Sequence, residues 1–117
     1  MRHHNSVRKF GRNKSQRQAL LKGLMLALIA HGKIETTEAK AKELRPFIEK
    51  LVTKANVGTL ASRRLVISRL YNLTAEANKL ITDIAPKYKG TPGGYTRITK
   101  LPRRGGDASK MAIIEFI

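Results

Sequence analysis

Arg2, Arg8, Lys9, Arg12, Lys14, Arg17 and Lys22 stand in the first 22 residues with no Asp or Glu among them. Side chains of this type at this density do one kind of chemistry well. They neutralise phosphates and release the counterions condensed on a polyanion. So one-sided a run repels itself and makes physical sense only against a partner of opposite sign. His3 and His4 lie within it. Adjacent imidazoles with no Cys or carboxylate nearby are a poor metal set, and cationic neighbours oppose a metal ion. Contact with a nucleic-acid sugar or base suits them better. The competing reading of the segment is a solvated tail, which rarely carries this much charge of one sign.

A second cationic group stands near the other end of the chain. Arg97 and Lys100 fall on a predicted strand, and Arg103 and Arg104 fall in the loop that follows. Gly93, Gly94, Gly105 and Gly106 flank them and allow backbone to approach a phosphate closely. No Gly-Lys-Ser/Thr follows, so this is not a nucleotide-binding P-loop. The bland alternative is a pair of solvated turns. Phosphate contacts of this kind fix position without reading base sequence.

The remaining composition excludes more than it adds. Lys and Arg total 24 against 8 acids, a net charge of +16 on 117 residues. The acids Glu35, Glu38, Glu43, Glu49, Glu76, Asp83, Asp107 and Glu115 mostly sit at helical spacing beside Lys or Arg, as Glu38 does with Lys42. They do not form the carboxylate pairs of two-metal chemistry. No catalytic residue, cofactor, metal site or small-molecule substrate is expected. There is no cysteine, so disulfides and thiolate metal sites are out of reach. The longest apolar stretch, 23–30, is far short of the ~20 residues that cross a bilayer, and a soluble intracellular protein is expected. Six aromatic residues are too few for the usual base-stacking platform.

The elements that must hold these cations are legible in outline. Residues 1–14 read as an extended basic arm and 15–117 as one globular domain. Ser15 with Gln18 has capping-box spacing, which starts a helix over about 16–31, mostly apolar all round and closed by Gly32. A short strand over 33–36 leads to Thr36 or Thr37, either of which can cap the next helix. The seam of that helix is Leu44, Phe47, Ile48, Leu51, Val52 and Ala55. Pro46 predicts a kink near Arg45, and Gly58 marks a break. A third helix over about 60–71 turns Leu60, Ile67, Leu70 and Tyr71 inward. A fourth follows Thr74, with Ala77, Leu80, Ile81, Ile84 and Tyr88 inward and Pro86 weakening its end. Strands over 95–101 and 111–117 pair as a hairpin that the 33–36 strand can join. The fold class is therefore α+β: about four helices on a small three-stranded mixed sheet, with an extended basic N-terminal arm. Residues 33–85 carry ten basic and six acidic side chains and read as ordinary solvated helix faces. The binding surface is expected at the chain ends.

Several blocks resemble a known family. Met1-Arg2-His3, Phe10-Gly11-Arg12 and Arg17-Gln18-Ala19-Leu20 open the chain. Ile34-Glu35-Thr36-Thr37, Ala39-Lys40 and Glu43-Leu44-Arg45 form a second block. Gly93-Gly94-Tyr95-Thr96-Arg97-Ile98, Arg104-Gly105-Gly106-Asp107 and Ile114-Glu115 complete the set. In this order they resemble bacterial large-subunit ribosomal protein seventeen, with two departures: Gln16 where the family usually has His, and an additional Gly in the Arg-Gly-Asp step. The resemblance implies a cytoplasmic, non-catalytic component of the large ribosomal subunit, bound to 23S-type ribosomal RNA near the polypeptide exit side. It also implies ribosomal protein neighbours, number thirty-two among them. Charge alone equally admits a DNA-binding architectural protein, although neither a minor-groove wedge nor a recognition helix stands out. An RNA-modifying enzyme, a third class, needs a cofactor pocket or catalytic acid that the sequence does not offer.

Overall fold

The structure is a computed structural model that describes residues 13–117. The first helix, α1, is Lys14–His31 and begins earlier than expected, because Asn13 rather than Ser15 is its cap. The Asn13 side chain accepts from the Gln16 amide at 2.9 Å, and the Gln16 side chain accepts from the Asn13 amide at 3.3 Å. Asn serves as well as Ser in this role. The far end closes on Gly32, whose φ of 79° lets its amide turn back to the Leu28 carbonyl.

Strand β1 (Lys33–Thr37) leads into α2 (Glu38–Val57), with Thr37 as the cap. Helix α2 continues through Pro46 as one element and does not end there. Pro46 and Lys42 both lie on the exposed side, so the Lys42 carbonyl that loses its amide partner is left toward water. Leu44, Ile48 and Val52 are completely buried. Burying each such side chain contributes roughly 1.5–3 kcal/mol, and this seam keeps the helix whole. Phe47, expected in the seam, is instead exposed.

Helix α3 (Leu60–Arg69) is shorter than predicted, and its inward face matches the expectation at Ile67 and Leu70 but not at Leu60 and Tyr71. Ser62, Val66 and Leu70 are buried, whereas Leu60 and Tyr71 are exposed. The chain leaves α3 through Tyr71 and Asn72, both left-handed at φ 57° and 63°, which swings Tyr71 off the helix line. Helix α4 (Thr74–Lys79) passes into a π turn (Leu80–Ile84) and a 3-10 turn (Ala85–Tyr88). Pro86 has no amide to continue an α-helical ladder, and the helix widens ahead of it. Ala77, Leu80, Ile84 and Tyr88 face the core as expected.

Strands β2 (Thr96–Leu101) and β3 (Met111–Phe116) pair antiparallel, and β1 pairs antiparallel with the other edge of β3. The order β1-β3-β2 corrects the expected mixed sheet. β1 and β2 run the same way across their long helical crossover, but β3 takes the slot between them, so no two parallel strands are neighbours. Ile34, Ile114 and Ile98 share one register row on the face that α2 covers.

Candidate nucleic-acid interface

Arg2, His3, His4, Arg8, Lys9 and Arg12 lie outside the described residues. The described part of the N-terminal cationic group begins at the first turn of α1. Lys14 is exposed there and Arg17 is half-buried one turn later. The first turn holds no acid. Cations at the positive end of a helix dipole are unfavourable unless an anion sits among them. Lys22, on the same helix, sets its ammonium 5.0 Å from the centroid of the Tyr71 ring, within the range of a cation–π contact.

The C-terminal group is arranged differently from a set of bare cations. Arg97 spans β2 and β3, with its Nη2 and Nε donating to Glu115 Oε1 at 2.8 and 3.1 Å. The two residues are direct register partners. Lys100 lies 3.7 Å from Glu38 Oε1, a carboxylate already paired with Lys42 at 2.8 Å. The Lys42 hydrogen bond is the main cause that holds the Glu38 carboxyl below its ordinary range.

Arg103 and Arg104 organise the loop between the strands. Arg103 Nη1 donates to the Ala108 carbonyl at 3.0 Å. Arg104 grips Asp107 with two parallel hydrogen bonds, 3.0 Å from Nε and 2.7 Å from Nη2. Its backbone closes a turn with Ala108 and Ser109, both at 2.9 Å. The Arg104 guanidinium holds the Asp107 carboxyl well below the usual carboxylate range, helped by the Ser109 hydroxyl and amide, and Arg104 is itself pushed up. The loop is thus built as a shaped, cation-bearing tip. Gly105 and Gly106 meet no protein atom where a Cβ would stand, which leaves their backbone open to a close approach from outside.

Sequence reasoning missed one feature. Lys14 and Arg17 share a groove of about 810 Å³ with Lys50 and Lys54 of α2 and Arg69 of α3. The three helix residues belong to the stretch read as solvated faces. Lys50 and Lys54 are four apart, so they share one helix face, and that spacing was the signal available. The one carboxylate lining the groove, Glu49, is occupied by Thr96. Among the described residues there is no cluster of His, Cys, Asp or Glu able to hold a metal ion. No described helix is long and apolar enough to cross a membrane.

This geometry can be set beside known proteins. The large ribosomal subunit protein bL17 of Persephonella marina is 58% identical over 118 aligned positions, covering all of this chain and 95% of its own length. The bL17 proteins of Helicobacter pylori and Campylobacter jejuni subsp. doylei are 55% and 53% identical, with 100% of this chain and 100% and 99% of theirs covered. The family model described as Ribosomal protein L17 matches residues 20–117. With relatives this similar along its whole length, the chain belongs to the ribosomal protein L17 family.

Proposed function

We propose that the protein is a structural constituent of the large ribosomal subunit that binds and stabilises 23S-type ribosomal RNA. It does so through the basic arm of residues 1–14 and the cation-bearing loop between β2 and β3. The domain, which the Asn13 cap of α1 opens, is the mount. The observation that carries this reading is the charge distribution. The net charge of +16 is concentrated in a first segment of 22 residues without one acid and in residues 87–110, with seven basic side chains and one acid. Family membership sets that distribution in a ribosomal context.

The work done is positioning, not catalysis. Arg2, His3, His4, Arg8, Lys9, Arg12, Lys14, Arg17 and Lys22 meet RNA along the arm and α1. Arg97, Lys100, Arg103 and Arg104 meet it at the sheet edge and loop. The bidentate Arg104–Asp107 pair fixes the tip before RNA arrives, so less ordering is left for binding. Charge-assisted hydrogen bonds to phosphate are the stronger kind, and the arm supplies their donors. Number thirty-two is the proposed protein neighbour, and the bacterial cytoplasm the place of action.

Sedimentation of a cell lysate through a sucrose gradient tests the role. The protein is expected to travel with the large subunit. Migration with the soluble fraction, or displacement of bound RNA by duplex DNA at equal phosphate concentration, would instead favour a DNA-binding architectural protein.

A further inference from the structure

We infer that the groove among α1, α2 and α3 is a third RNA contact, one that receives a single-stranded nucleotide with its base unstacked. The inference rests on the ribosomal RNA reading above and adds a site to it. Lys14, Arg17, Lys50, Lys54 and Arg69 line the groove against one carboxylate, Glu49. Glu49 Oε2 already accepts the Thr96 hydroxyl and amide and lies 3.5 Å from Arg45 Nε. Among the described residues none of the five cations is ion-paired. The groove is therefore shaped for a polyanion.

Its apolar lining selects which polyanion. Phe47 and Tyr71 both line it, and they are among the few large hydrophobic side chains left exposed, at 41% and 44%. Tyr71 is displayed by a left-handed backbone, φ 57°, that a bulky residue adopts only at a cost. Planar rings beside cations are the combination that holds single-stranded nucleic acid, with bases on the rings and phosphates on the ammonium and guanidinium groups. An A-form duplex keeps its base faces stacked and cannot use the rings. At about 810 Å³ the groove is within the size range that encloses small ligands, so a base with its phosphates fits. An acidic peptide would satisfy the cations but leave the exposed rings without a planar partner.

The test compares two probes on the full-length protein: hexa-adenylate RNA and a hexamer with equal phosphates but abasic at every position. Hexa-adenylate is expected to bind roughly tenfold tighter, the effect of stacking one base. Phe47→Leu and Tyr71→Leu are expected to abolish that preference while leaving the abasic hexamer bound as before. Phe47 is exposed, so its variant keeps the fold even if the Tyr71 variant does not. Equal affinity for the two hexamers, or a preference that survives Phe47→Leu, overturns the site. Intact 23S RNA serves as the control. If the wild-type protein binds it but shows no base preference, only the groove is lost, whereas failure to bind it overturns the ribosomal reading itself. In assembled subunits, a p-benzoylphenylalanine cross-linker in place of Phe47 is expected to capture RNA. Capture of a neighbouring protein contradicts the assignment.

Discussion

Glu49 Oε2 accepts both the hydroxyl and the backbone amide of Thr96, at 2.8 and 3.2 Å, so one carboxylate on α2 fixes the first residue of β2. Arg45 completes the tie by donating to the Thr96 carbonyl at 3.4 Å. Thr96 is 1% exposed. This is how the central helix aligns the strand that carries Arg97 and Lys100. Thr96→Val keeps the shape and deletes the hydroxyl. A hydrogen bond to a charged group contributes about 1.5–3 kcal/mol, and that loss is expected in chemical denaturation. An unchanged midpoint would mean that water replaces the hydroxyl without cost.

The loop tip has a defined response to acid. Asp107 has an ordinary carboxyl value of 3.8, and Arg104 holds the folded group well below it. A depressed carboxyl stabilises the folded tip at pH above its ordinary value, and the contribution disappears as pH falls through the folded value. Carboxyl NMR titration is expected to find Asp107 still ionised at pH below its ordinary value. Asp107→Asn is expected to remove the acid-dependent change in amide exchange at Ala108 and Ser109. A normal Asp107 titration would show that the Arg104 grip is loose in solution.

At the other end of the pH scale, Tyr88 donates its hydroxyl to the Ile117 carbonyl at 2.6 Å. Burial pushes its phenol above the ordinary value of 10.0. The raised group favours the folded state below pH 10, and that contribution is lost as pH rises through the folded value. Ultraviolet titration is expected to show a phenol ionising above the ordinary value of 10.0 that disappears in Tyr88→Phe. The variant is also expected to lose about 0.5–1.5 kcal/mol at neutral pH. A Tyr88 phenol that ionises at its ordinary value would contradict the packing.

Gly23 lies exposed inside α1, and a Cβ there meets nothing within 4 Å. Gly23→Ala is expected to stabilise the free protein by about 0.5–1 kcal/mol, visible as a raised melting temperature. Destabilisation would mean that the free helix needs its glycine.

Elements whose signals are local were legible in the sequence. Gly32 and Gly58 end helices where expected, Thr37 caps α2, and the Leu44–Ile48–Leu51–Val52 seam is buried. Relationships that depend on tertiary placement were not. The spacing of Ser15 and Gln18 matched a cap that Asn13 and Gln16 supply instead. Nothing local revealed that β3 would separate β1 from β2. The inward face of α3 was legible only in part: Leu70 is buried and Ile67 packs on the core as expected, but Val66 takes the place expected of Leu60 and Tyr71, which are exposed. For the interface, the cationic residues themselves were legible. Their partners were less so: Arg97 and Glu115 stand 18 residues apart and meet only when β2 and β3 pair, whereas Arg104 and Asp107 are local, three residues apart. The groove cations were hidden for the same reason, since α1, α2 and α3 bring them together only when packed.

The central claim is that the N-terminal cations lie on ribosomal RNA phosphates. The direct measurement is the affinity for 23S RNA against salt, for the full chain and for a chain lacking residues 1–12, a deletion that spares the Asn13 cap of α1. Each lost phosphate contact is expected to flatten the slope of log affinity against log salt by about 0.7–0.9. Removing Arg2, Arg8, Lys9 and Arg12 is therefore expected to flatten it by about 3, with the melting temperature unchanged. Two slopes that coincide would contradict the claim.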